Sequence, residues 1–161
     1  MDWIQLYSMQ EKLDSYINEN HNLEGKDLFN ERYLAFLVEL GELANETRCF
    51  KFWSNKKRSE DAIILDEYVD GVHFLLSIGI EKGFRYERDQ IVVHETNETN
   101  QFNNIFIQAT LFKQDPSEEN YNILFEDFLK LGKILGYSEE DVQAAYFKKN
   151  EVNYERQDTG Y

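Results

Sequence analysis

An all-α fold, a helical bundle of about six helices, is what this sequence predicts, on three observations. Proline occurs once, at Pro116, so the strongest helix breaker is missing from nearly the whole chain. Apolar residues recur three and four positions apart over long stretches, which is the period of an amphipathic helix. Convincing two-residue alternation is absent, so the elements must bury their stripes helix on helix.

The elements follow in order. Ile4, Leu6, Met9, Leu13 and Ile17 form the stripe of a first helix ending near His21-Asn22, with Gly25 in the loop beyond. A second helix spans roughly Asp27 to Phe52, with Leu28, Tyr33, Phe36, Leu37, Leu40, Ala44 and Thr47 facing inward. Asp27 is its expected N-cap, because a carboxylate there accepts from unpaired backbone N–H groups. The basic loop Asn55-Lys56-Lys57-Arg58 follows. Ser59 is then the expected cap of a third helix, with Glu60 and Asp61 at its positive dipole end. That helix carries Ile63, Ile64, Tyr68, Val72, Leu75 and Leu76 and stops at Gly83. Residues from Phe84 to Asn97 are less regular, and Ile91-Val92-Val93 has strand character. Helix returns from Glu98 to Lys113. After the turn Asp115-Pro116-Ser117, a fifth helix carries Tyr121, Leu124, Phe125, Phe128, Leu131 and Leu135 and ends at Gly136. Ser138-Glu139-Glu140-Asp141 reads as a capping box opening a last helix to about Asn153. The tail Arg156 to Tyr161 is expected to be irregular.

Composition narrows the function. At 161 residues one domain over 1–161 is expected, and the high aromatic content points to a core of packed rings. The net charge of −14 disfavours direct nucleic-acid binding through a broad basic face. It does not exclude a nucleotide, provided a divalent cation bridges the two sets of negative charge. Cys49 is the single cysteine, so neither an internal disulfide nor a multi-cysteine zinc site can form. With no signal pattern and no apolar run near the ~20 residues of a membrane span, a soluble cytoplasmic protein is expected.

Two acidic pairs carry chemistry. Glu39-Leu40-Gly41-Glu42 lies in the second helix and Glu67-Tyr68-Val69-Asp70 in the third. Residues three apart point off one helical face, so antiparallel packing of the two helices brings four carboxylates together. Without cations such a cluster repels itself; with hard oxygen-seeking metal, Mg²⁺ above all, it makes sense. The plain alternative is a solvated acidic face. Against it, Glu39 and Glu42 flank the apolar stripe, and Gly41 and Gly71 occupy helix interiors, where glycine costs roughly 1 kcal/mol relative to Ala. At the C-terminus, Lys149, Asn153 and Arg156 share a helical face and suit phosphate oxygens. Part of that basic character also fits a last turn complementing the helix dipole.

These residues resemble a known family. Glu39-x-x-Glu42 with Glu67-x-x-Asp70 is similar to the metal-binding pattern of the all-α nucleoside triphosphate pyrophosphatases, which include MazG-like proteins and dimeric dUTPases. The terminal Lys149-Asn150-x-x-Asn153-x-x-Arg156-Gln157-x-x-Gly160-Tyr161, together with Phe50-Lys51-Phe52-Trp53 and Asp70-x-x-His73-Phe74, resembles the dimeric dUTPases, in the compact form of Gram-positive bacteria and their phages. The resemblance implies Mg²⁺ held by Glu39, Glu42, Glu67 and Asp70, with Glu42 also activating the attacking water. It implies Lys149, Asn153, Arg156 and Tyr161 on the phosphates, Trp53 on the uracil ring and Gln10 at its edge. His73 and Phe74 would lie by the deoxyribose. Apart from the resemblance, Trp53 and His73 read as core residues. The family often has Asn one turn after its motif glutamine; here Leu13 and Asp14 follow Gln10 by three and four. The implied reaction is dUTP to dUMP and pyrophosphate in a homodimer. Alternatives are a pyrophosphohydrolase for another nucleotide such as dCTP, and an acidic protein-binding module whose partner is a repressor, with Asp89 to Lys113 as the contact segment.

Overall fold

The computed structural model describes residues 1–87, 91–93 and 96–160, and within them the chain forms six helices and no strand. They are α1 (Trp3–His21), α2 (Phe29–Thr47), α3 (Asp61–Lys82), α4 (Glu98–Gln114), α5 (Glu118–Ile134) and α6 (Glu139–Thr159). The expected class holds. No helix among the described residues is long and apolar enough to cross a membrane.

Local chemistry sets most boundaries. The Asp2 side chain accepts from the Gln5 N–H, and the Asn97 and Ser117 side chains cap α4 and α5. Ser138 and Asp141 form the expected reciprocal capping box. Asn22 (φ 55°) ends α1 and Gly83 (φ 74°) ends α3, both in the left-handed conformation that closes a helix.

Several boundaries depart from expectation. α2 stops at Thr47 rather than Phe52, because Arg48 turns left-handed (φ 58°). Its guanidinium then donates to the Ser54 hydroxyl (2.8 Å) and the Lys56 carbonyl (3.1 Å), shaping a loop. Asp27 accepts from the Phe29 N–H at 3.0 Å, but the cap position is Leu28, whose N–H donates to Glu81 of α3. Ser59 does not cap α3. Its N–H and hydroxyl tie back to Glu46, and the helix begins after Glu60. Ile91–Val93 forms no strand, since a three-residue run needs a paired neighbour to persist. α6 continues past Asn153 to Thr159, so most of the expected tail is helical. No glycine or proline interrupts it before Gly160 (φ 76°), and α1 supports it through Tyr16 against Tyr154 and His21 bonded to Gln157. Ile4, 87% exposed, stands outside the stripe of α1, which is Leu6, Tyr7, Gln10, Leu13 and Asp14.

The packing positions the acidic pairs. Glu46 near the end of α2 meets Ser59 just before α3, and Arg32 near the start of α2 meets Glu81 near the end of α3 at 2.8 Å. The two helices are therefore antiparallel. α6 packs on α3 and α1, and α4 with α5 makes a second antiparallel pair. The core between them is built of rings. Tyr68 stacks on Phe128 (centroids 4.8 Å apart), and Phe36 meets Phe128 edge-on at 5.6 Å. The two unusual helix glycines differ in purpose. A Cβ on Gly71 would lie 2.4 Å from Phe128, whereas one on Gly41 would meet nothing within 4 Å. Gly71 is a close-approach residue and Gly41 is not.

Candidate functional site

Three of the four expected carboxylates come together. Glu39 of α2 and Glu67 and Asp70 of α3 each offer an oxygen within 4.8 Å of the others'. All three are half-buried. Glu42 is exposed and stands outside this triplet, although its charge acts on both Glu39 and Glu67. Burial, reinforced by Asp70, Glu42 and Glu67, pushes the Glu39 carboxyl up to about 7. Burial and the Asp70 charge raise Glu67 as well. Ionised carboxylates at this spacing repel one another, and an all-oxygen donor set of this kind suits a hard divalent cation such as Mg²⁺.

A lysine ammonium reaches the cluster. Lys149 of α6, only 5% exposed, donates to Asp66 at 2.7 Å and contacts Asp70 at 2.6 Å. Burial alone would pull the Lys149 ammonium down, but the two aspartates hold it above the ordinary lysine range. Asp70 is nonetheless raised, because burial outweighs the help from Lys149. The residue expected on phosphate thus sits on a carboxylate in this state.

Gln10 forms the hub of a buried network. It is 3% exposed, and its amide oxygen accepts from the Tyr146 hydroxyl (2.8 Å) and from His73 Nδ1 (2.7 Å). Its amide nitrogen donates to Asp14 at 2.8 Å, and Asp14 also accepts from Ser77 at 2.6 Å. The His73 ring stacks on Tyr146 with centroids 4.1 Å apart, and its buried Nε2 has no hydrogen-bond partner among the described residues.

Burial, with the Lys149 charge acting in the same direction, pushes His73 down to about 3. An unfolded histidine titrates near ~6.5, so below that pH the unfolded chain binds a proton that the folded chain refuses. Stability therefore falls as pH drops, by at most about 1.4 kcal/mol per pH unit. Urea unfolding at pH 7, 6 and 5 is expected to give a shallower dependence for His73→Gln than for the parent. Equal slopes would mean that His73 is protonated in the fold.

The remaining expected residues are spread out. Trp53 lies on the loop after α2, 65% exposed, with Phe50 and Phe52 packed edge-on against it. It is not a core residue. Phe74 is half-buried against the core. Asn153 and Arg156 share a face of α6, the Asn153 oxygen 3.5 Å from the guanidinium, and the Arg156 charge acts on Asp70. Tyr161 lies outside the described residues. A cleft of about 430 Å³, lined in part by Asp14, Asn18, Arg32 and Glu81, opens toward the far end of α3.

Asp66, Asp14 and Tyr146 join the site although the sequence alone assigned them no role there. Each was legible by spacing: Asp66 precedes Asp70 by one turn, Asp14 follows Gln10 by one turn, and Tyr146 precedes Lys149 by three residues. No curated protein matches the chain. A family model described as dUTPase matches residues 2–161, nearly the full sequence over which the acidic pairs, the buried glutamine and the basic face of α6 are distributed. The chain belongs to the dUTPase family, and its reaction is the hydrolysis of dUTP to dUMP and pyrophosphate.

Proposed function

We propose that Glu39, Glu67 and Asp70 hold Mg²⁺ for this reaction and that Glu42 is the general base. The observation that carries the reading is the meeting of three raised or crowded carboxylates from two antiparallel helices. When bound there, magnesium compensates the triphosphate charge and makes a coordinated water more acidic. Glu42 would also serve as a ligand of this cation. Being exposed and outside the triplet, its carboxylate is available to orient the attacking water and take its proton as pyrophosphate leaves.

The other chain residues bind and orient. Lys149, Asn153 and Arg156 present one face of α6 to phosphate oxygens, and Tyr161 is the fourth residue assigned to them. The exposed Trp53 indole offers a stacking surface for uracil. Gln10 has a second amide N–H beyond the one given to Asp14, and that donor suits a uracil carbonyl. His73 and Phe74 flank the deoxyribose, where the Phe74 ring leaves little room for a 2′-hydroxyl. A homodimer is supported by apolar side chains left exposed on two neighbouring helices: Leu34 and Val38 on α2, and Phe106, Ile107 and Leu111 on α4.

Pyrophosphate release measured with Mg²⁺ across dUTP, dCTP, dTTP and UTP tests the reading. Preference for dUTP is the expected result. Preference for dCTP would keep the carboxylates and discard the uracil contacts. A rate unaffected by chelating the metal would discard the metal site.

A further inference from the structure

We infer that Lys149 is an internal competitor for the cation at Asp70, and that Asp66 is the positioning residue that draws it aside when the cation binds. The inference rests on the proposal that Glu39, Glu67 and Asp70 hold that cation. The Lys149 ammonium lies between two carboxylates one helical turn apart, 2.7 Å from Asp66 and 2.6 Å from Asp70. The Lys149 side chain is 6% exposed, so it has little freedom to leave for solvent. Asp70 belongs to the carboxylate triplet; Asp66 does not. Asp66 is also the more open of the two, its side chain 58% exposed against 19% for Asp70.

An ammonium and a divalent cation sharing the Asp70 carboxylate repel each other. Loading the site therefore favours the arrangement in which Lys149 leans on Asp66 alone. Without Asp66, Asp70 is the ion-pair partner left to Lys149 among the described residues, and the cation must displace a buried charge from it. Lysine carries three donors, so release from Asp70 also frees one N–H for a substrate phosphate oxygen. Asp66 thereby sets both how readily metal enters and where Lys149 points afterwards.

The test is Mn²⁺ binding to the nucleotide-free full chain by calorimetry. Lys149→Gln is expected to bind about three- to tenfold tighter and Asp66→Asn about threefold weaker, the range expected of half-exposed charge pairs. Asp66→Asn made in the Lys149→Gln background is expected to change nothing further, because Asp66 acts through Lys149. If the Asp66→Asn effect persists there, Asp66 acts by charge alone and the inference falls. It falls equally if Lys148→Gln, which removes an exposed neighbouring charge, tightens binding as much as Lys149→Gln. Should a variant not fold, the ¹⁵N signal of the Lys149 ammonium in the parent decides: it shifts on adding Mg²⁺ if the ammonium leaves Asp70, and its failure to move overturns the inference. Binding without coupling overturns this inference alone. No Mn²⁺ binding at all overturns the metal proposal with it.

Discussion

Glu42→Ala is expected to slow pyrophosphate release from dUTP about 10²- to 10⁴-fold, the range a positioned general base contributes. Its effect on metal affinity should be the smaller one, since Glu42 stands outside the triplet of converging oxygens. Glu39→Gln should give the opposite signature: metal affinity collapses, and the metal-free protein becomes more stable. The sign follows from the shift. Burial and its acidic neighbours push Glu39 up to about 7 in the fold, against ~4.3 when the chain is unfolded. As pH rises through that window the unfolded chain gives up its proton first, so the metal-free fold loses stability, by about 1 kcal/mol once the half-exposure of Glu39 is allowed for. Glutamine removes that loss. Urea unfolding at pH 5 and pH 7.5, with chelator and with excess Mg²⁺, reads both effects. A parent that gains no stability from Mg²⁺ at pH 7.5, or a Glu39→Gln variant that still gains it, would contradict the assignment.

Gly71→Ala should destabilise the fold strongly and disturb the carboxylate site with it. The added Cβ would lie 2.4 Å from the tip of the Phe128 ring. Phe128 cannot retreat, because it is fully buried, stacked on Tyr68 and met edge-on by Phe36. Overpacking of this kind costs about 3 kcal/mol. Gly71 directly follows Asp70 in α3, so relief by shifting the helix moves Asp70 and Glu67 away from Glu39. Activity should consequently fall further than stability does. Thermal unfolding together with kcat at a temperature where the variant stays folded separates the two losses. Gly41→Ala is the matched control: its Cβ meets nothing within 4 Å, and stability should rise by roughly 1 kcal/mol.

The sequence made the helices legible because periodicity and caps are local. Asp2, Asn97, Ser117 and Ser138 cap in the structure through their own side chains. It misled where a tertiary bond overrides a local preference. Ser59 looks like a cap but spends both of its polar groups on Glu46. α6 outruns its expected end because α1 supports it from the side. For the site, spacing announced the carboxylate pairs but not that Glu42 would stand apart. Gln10 is legible as a motif residue, yet its partners come from three helices, and no local signal pairs it with Tyr146 or His73. Lys149 shows the same limit: its type suggested phosphate, while its position in this state is set by Asp66 and Asp70.

The Gln10 hub also bears on how the chain reaches this state during synthesis. Its acceptor bond from Tyr146 joins residues 136 apart, and the Tyr146 hydroxyl reaches the Leu6 carbonyl across 140. α1 leaves the ribosome first but cannot bury Gln10 or Asp14 until α3 and then α6 have followed. Contacts so distant in sequence are slow to close. Until then the helix made earliest carries a polar stripe that still lacks its partners on α3 and α6, beside apolar groups open to water, the state in which chaperone capture and aggregation compete with folding. The docking of α1 is thus timed by the last helix to appear, and pausing translation before residue 146 should leave α1 susceptible to protease while α2 and α3 are already protected.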